Sequence, residues 1–182
     1  MTTPATDLVL EPVPFTDTRV GALVEEVQAY YMQIYGGPDD SPFDPAQFAP
    51  PVGTFVLGTV AGEPVAMGGW RTRPDLTDDF GAPVAEVKRM FVSPRVRRRG
   101  YAAGVLAELE RTARDAGVEL LVLETGAAQR DAIALYLGAG YTPTLRFGHY
   151  AIHDTSRYYG RSLTGTPLPT APESTEVGRQ DA

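Results

Sequence analysis

The chain contains no cysteine, two histidines and one tryptophan in 182 residues. Without cysteine there is no disulfide framework, no thiolate metal site and no cysteine nucleophile. His149 and His153 stand four residues apart, but they lie among turn residues, where such a pair is ordinarily solvated, and no metal site is assigned. Positive charge is also scarce. Lys and Arg total 16 against 23 Asp and Glu, a formal charge of -7, which argues against nucleic acid as a partner because a binder of that kind carries a basic face across the domain. Long apolar runs are missing too. No stretch approaches the roughly 18 apolar residues of a membrane span, and the opening MTTPATDL lacks the charged and apolar blocks of a signal peptide. A cytoplasmic location with no membrane partner is expected.

At 43% hydrophobic residues the chain can bury one sizeable core, and a single domain over residues 1–164 is expected. Residues 165–182 are rich in Pro, Thr, Ser and Glu and read as a disordered tail. Asp7 to Val13 reads as a strand. Thr16 or Asp17 can cap a helix with Val20, Leu23, Val24, Val27, Tyr31 and Ile34 on one stripe, ended by Gly36 and Gly37. The segment from Pro38 to Pro51 holds five prolines and is predicted as a loop with at most one helical turn. Phe55 to Val60 and Pro64 to Arg71, joined across Gly62, carry the signal of a hairpin. Val84 to Val92 is a fourth strand, and the continuous apolar run Val118 to Glu124 is a strand covered on both faces. Asp131 to Leu137 reads as a short helix, with late strands at Tyr141 to Arg146 and Arg157 to Leu163.

Against this acidic background, five of the seven residues from Arg95 to Tyr101 are Arg or Gly. A strand precedes them, and a helix with Val105, Leu106, Leu109 and Ala113 on one stripe follows. A bend beside a helix start attracts anions. The first turn carries unpaired N–H groups and the positive end of the helix dipole, and Gly100 lets a ligand approach without meeting a Cβ. Arginines there add charge-assisted hydrogen bonds to phosphate oxygens. The pattern is a pyrophosphate cradle built mainly of main chain, matching neither G-x-x-x-x-G-K-[ST] nor G-x-G-x-x-G. Read as charge alone, the same residues form a solvated basic patch that could take any polyanion.

Arg97-x-x-Gly100-x-Ala102, set between VAEVKRMFV and an amphipathic helix leading to VELLVLE, resembles the acetyl-CoA signature of the GCN5-related N-acetyltransferases (GNAT). The stretch AIALYLGAGY, from Ala132 to Tyr141, resembles that family's second motif, a helix ending in Leu-Tyr before Gly and an aromatic residue. The resemblance spans Val84 to Pro143 and implies a single α/β (α+β) domain. Its central mixed, twisted sheet would be flanked by helices and splayed between strands 4 and 5. It also implies an N-acetyltransferase with acetyl-CoA as co-substrate and no metal. The alternative on the same fold is a non-catalytic acyl-CoA sensor.

Residue by residue, the resemblance implies that main-chain groups of Met90, Phe91 and Val92 line the pantetheine arm. The segment Arg97, Arg98, Arg99, Gly100, Tyr101 and Ala102 would hold the pyrophosphate. Gln129 stands where many members have a cofactor-contacting asparagine, at the start of the helix that Ala132 opens. Tyr136 takes the place of a tyrosine that protonates the departing thiolate; read without the resemblance, it is an aromatic core residue. Glu86, eleven positions before Arg97, matches a glutamate that serves several members as general base. Partial desolvation would raise its pKa and suit it to that role. Its alternative is a structural pair with Lys88 on one strand face.

The acceptor pocket would form from Tyr30, Tyr31, the loop from Pro38 to Pro51, Trp70 and the segment from Phe147 to Tyr159. Asp39, Asp40 and Asp44 would suit a cationic amine, although an acidic loop on an acidic protein is also ordinary surface. A small-molecule primary amine is expected as acceptor, and a homodimer is left open.

Overall fold

The computed structural model describes residues 7–38 and 41–170. Its sheet is built outward from a hairpin. Strands β2 (Gly53–Val60) and β3 (Glu63–Thr72) meet at Ala61 and Gly62, both with positive φ, and such a turn twists with the strands it joins. β1 (Val9–Pro12) adds antiparallel to β2, and β4 (Val84–Val92) antiparallel to β3. β5 (Leu120–Gly126) joins β4 in parallel, reached through a crossover helix, and β7 (Ser156–Ser162) and the two-residue β6 (Thr142–Pro143) complete the order β1-β2-β3-β4-β5-β7-β6. The predicted strand from Tyr141 to Arg146 is cut to these two residues, and Pro143 has no N–H to extend a ladder.

One long helix covers each face of the sheet. α1 (Thr18–Tyr35) begins where Asp17 accepts from the Arg19 N–H at 2.9 Å and ends at the left-handed Gly36, as its sequence predicts. It seats Val20, Leu23 and Val27 on Phe55, Leu57, Met67 and Phe91. α3 (Tyr101–Asp115) lies on the opposite face, packing Val105, Leu106, Leu109 and Ala113 on Val56, Ala66, Ala85 and Val87. Each such buried Val, Leu, Met or Phe side chain contributes roughly 1.5–3 kcal/mol. The short α2 (Thr77–Phe80), which the sequence reading did not anticipate, and α4 (Arg130–Gly138) complete the helices.

The departure from regularity that matters is at Arg89. Its φ is +58°, and the β3–β4 register shifts there: Gly69 faces Lys88 while Met67 faces Phe91. This is a β-bulge, and a bulge bends the strand that carries it. Pairing with β5 runs from Val84↔Leu120 to Val87↔Leu123 and stops, although both strands continue. The sheet therefore splays between β4 and β5, as expected. The bulge also resets side-chain alternation: Phe91 turns under α1, whereas Met90 and Val92 pack toward α3.

The ordered chain extends past Thr164. Leu168 packs beside Leu145 and Tyr158, and the Thr144 hydroxyl donates to the Pro169 carbonyl at 2.6 Å. Residues 165–170 thus belong with the sheet and not with a tail, because one leucine in an otherwise polar stretch finds an apolar seat. The remaining predicted tail, residues 171–182, lies outside the described residues.

Candidate active site

The splay opens a cavity of about 510 Å³. Its walls are the diverging strands, Val87 to Met90 on one side and Glu124 to Gly126 on the other. Tyr31 and Tyr35 of α1 close it from one face and Tyr136 of α4 from the other. Tyr35 and Gln129 meet across its mouth, where the Gln129 amide donates to the Tyr35 hydroxyl at 3.0 Å.

β4 leads from this cavity through a single 3₁₀ turn into the arginine segment. Arg98 and Gly100 both have positive φ, +65° and +81°, and Gly100 is the N-cap of α3 with no side chain capping the first turn. The curled backbone and the uncapped helix start together form a concave set of N–H donors suited to an anion. Arg97, Arg98 and Arg99 are exposed, and the Arg97 guanidinium lies over the Tyr30 ring at 5.0 Å. Tyr101 points the other way. Its ring is 1% exposed in the α3-side core and its hydroxyl donates to Asp7 at 2.8 Å, so only its main chain can face a ligand. The side chain of Phe91, 7% exposed under α1, is likewise committed to packing, and Ala132 packs on the α3-side core.

Tyr136 sits at the inner end of the cavity, 6% exposed, with its hydroxyl 3.8 Å from the Met90 sulfur. Burial, helped by the negative charge of Glu124, pushes its pKa well above the ordinary tyrosine value, and it remains a neutral proton donor across the physiological range. The geometry thus combines a splayed cleft, a main-chain anion cradle and a buried hydroxyl.

A sequence model described as "Acetyltransferase (GNAT) family" matches residues 21–141. The chain belongs to this family. It is 31% identical over 150 residues, 82% of its own length and 94% of the other's, to an IAA acetyltransferase of Azospirillum brasilense. A crystal structure from Klebsiella pneumoniae, described as an acyl-CoA N-acyltransferase, superposes with a TM-score of 0.70 at 25% identity, covering 86% of this chain and 97% of that one. Arabidopsis thaliana NAA60 in complex with acetyl-CoA shares the fold alone, at a TM-score of 0.60 and 12% identity over 87% of this chain and 99% of that one. The chain is therefore an acetyl-CoA-dependent N-acetyltransferase that transfers the acetyl group to an amine. No helix among the described residues is long and apolar enough to cross a membrane.

In this acetyltransferase Glu86 does not have the environment that its sequence suggests. It is 3% exposed, on the side of β4 away from α3, and directly opposite Arg71 in register. Arg71 donates to Glu86 Oε2 from Nε at 3.1 Å and Nη2 at 2.9 Å, Arg73 donates to the same oxygen at 2.6 Å, and Lys88 Nζ stands 3.7 Å from Oε1. Burial works to raise the Glu86 pKa, but Lys88, Arg73 and Arg71 outweigh it and hold the carboxyl below its ordinary range. The expected rise in basicity is thus corrected, because three cations converge on one carboxylate. The pair with Lys88 exists as one part of that larger cluster.

A second, smaller cavity of about 150 Å³ adjoins the first and shares Lys88, Glu124 and Tyr150 with it. Arg71, Arg73 and Glu86 form one wall and Phe147 to Tyr150 the other. The late segment thus lines both cavities, with His149 at this one and His153 at the larger one. Trp70 is not part of it: the ring is 1% exposed beneath α3, with Nε1 donating to the Thr112 hydroxyl at 2.9 Å, because its strand position faces the α3 side. Asp39 and Asp40 lie outside the described residues, while Asp44 caps the single 3₁₀ turn of its loop. Sequence reading missed Arg71, Arg73 and Glu124. Their signal was present as charges where apolar strand runs end.

Proposed function

We propose that this enzyme acetylates a small primary amine by direct attack in a ternary complex, with Tyr136 as general acid. Acetyl-CoA supplies the activated acetyl group as a thioester. The N–H groups around Gly100 and the exposed arginines hold the pyrophosphate, and the main chain of β4 beyond Val87 holds the arm. As the new C–N bond forms and the C–S bond breaks, the thiolate takes the Tyr136 proton. Glu124, at the seam of the two cavities, receives the proton lost by the amine and passes it to solvent, and Tyr136 regains its proton from solvent, which closes the cycle. Glu86 acts as a positioning residue that fixes Arg71 and Arg73.

The observation that carries this reading is the Tyr136 hydroxyl, buried at the cavity end and held protonated. The adjoining cavity of only about 150 Å³ favours a compact acceptor over a protein segment. The test is Tyr136→Phe. It should lower kcat about 100-fold, within the range for general acid catalysis, with acetyl-CoA affinity by calorimetry changed less than about threefold. Unchanged turnover would remove Tyr136 from the mechanism.

A further inference from the structure

We propose that the amine acceptor is an amino acid, its amine entering the splayed cleft beside Glu124 and its carboxylate held in the adjoining cavity by Lys88, Arg71 and Arg73. This rests on the transfer reading above. The basis is the way charge is distributed around the smaller cavity, cations on β3 and β4 and a carboxylate on β5. Lys88, Arg71 and Arg73 converge on the smaller cavity with side chains only 15%, 16% and 11% exposed. Glu86 neutralises one of them. Asp75 takes a second, accepting from Arg73 Nε at 2.8 Å and Nη2 at 2.7 Å. The third positive charge shares the lining of the void with Glu124. A charge drawn from water is costly unless it is paired, so such a wall is suited to an anion supplied by the ligand.

Lys88 is the member best placed to supply that charge. It lines both cavities, and its 3.7 Å separation from Glu86 is an ion-pair distance longer than a hydrogen bond. Arg71 has its Nε and Nη2 on Glu86 and its Nη1 on Gln47, which fixes the orientation of its guanidinium edge. Glu124 lies on the wall common to both cavities, with the opposite sign. A cationic wall and a carboxylate at the seam match the two ends of a zwitterion. The cluster is separate from the pyrophosphate cradle: Arg71, Arg73 and Glu86 meet at the end of β4 that is still paired with β5, whereas Gly100 follows the bulged end. A carboxylate fits this void of about 150 Å³ with a few carbon atoms beside it.

The experiment measures thiol release from acetyl-CoA with the protein amino acids, β-alanine and γ-aminobutyrate, each alongside its carboxamide and its decarboxylated amine. Acids should be the acceptors, with kcat/KM about 10- to 100-fold above their carboxamides, the range for a hydrogen bond between charged partners. Lys88→Gln should bring that ratio to within a few-fold of one, and Lys88→Arg should keep most of it. Carboxamides or simple amines that serve as well as the acids, or a ratio that Lys88→Gln leaves unmoved, would overturn the proposal while acetyl transfer itself stands. An absence of thiol release with every amine of the panel, despite saturable acetyl-CoA binding, would overturn both readings at once.

Discussion

Replacing Glu86 by Gln removes the carboxylate that Arg71, Arg73 and Lys88 all contact. The carboxylate is 3% exposed and takes three hydrogen bonds from two guanidinium groups at 2.6 to 3.1 Å. Breaking a buried ion pair from one side costs about 3–5 kcal/mol. Arg73 keeps Asp75 and Arg71 keeps Gln47, so the lower end applies, about 3 kcal/mol. For a chain of this size that lowers Tm by about 6–12 °C, measured by thermal unfolding at pH 7. The pH dependence follows from the direction of the shift. The folded carboxyl titrates below the unfolded one, so its contribution is complete above the unfolded pKa and is lost as pH falls through the folded value. The gap between wild type and Glu86→Gln should therefore be flat from about pH 8 to 5.5 and should narrow below about pH 4. Kinetics provide the opposing test. A gap under about 1 kcal/mol, with the acid limb of the kcat/KM profile abolished in the variant, would make Glu86 the general base and refute the charge-anchor account.

Gly100→Glu places a side chain and a negative charge at a left-handed N-cap that faces the anion cradle; calorimetry should show acetyl-CoA binding lost, with Tm lowered by a few degrees only. Because the Tyr136 pKa is pushed above the ordinary tyrosine value, the wild-type kcat profile should show no alkaline fall from this group below about pH 10, and Tyr136→Phe should lower the plateau without changing its shape. Thr112→Val leaves the buried Trp70 indole N–H without its acceptor, and urea unfolding should register a loss of about 1–3 kcal/mol with kcat unchanged.

The parts of this enzyme that the sequence determined are those whose causes lie within a few residues. Asp17 and the glycines after Tyr35 bound α1, Ala61 and Gly62 turn the hairpin, and Gly100 after the run of arginines sets the start of α3. Caps, left-handed turns and helix starts are local hydrogen-bonding problems, so a short stretch states them in full. Which way a strand residue faces is different, because strand register is fixed by the neighbouring strands and a single slip reverses every side chain. Trp70 reads as a pocket residue and its side chain is a core one, and the side chain of Tyr101 is buried as well; the bulge at Arg89, invisible in VAEVKRMFV, resets the second half of β4. Glu86 had its apolar strand in the sequence, but Arg71 and Arg73 reach it only through the pairing of β3 with β4. That pairing reversed the direction of its pKa shift. The sequence by itself determined that a glycine-led helix start follows a run of arginines and that a tyrosine stands on the short helix α4. The tertiary structure alone decided which charges meet across the sheet, because electrostatic energy depends on distances between residues that the chain keeps apart.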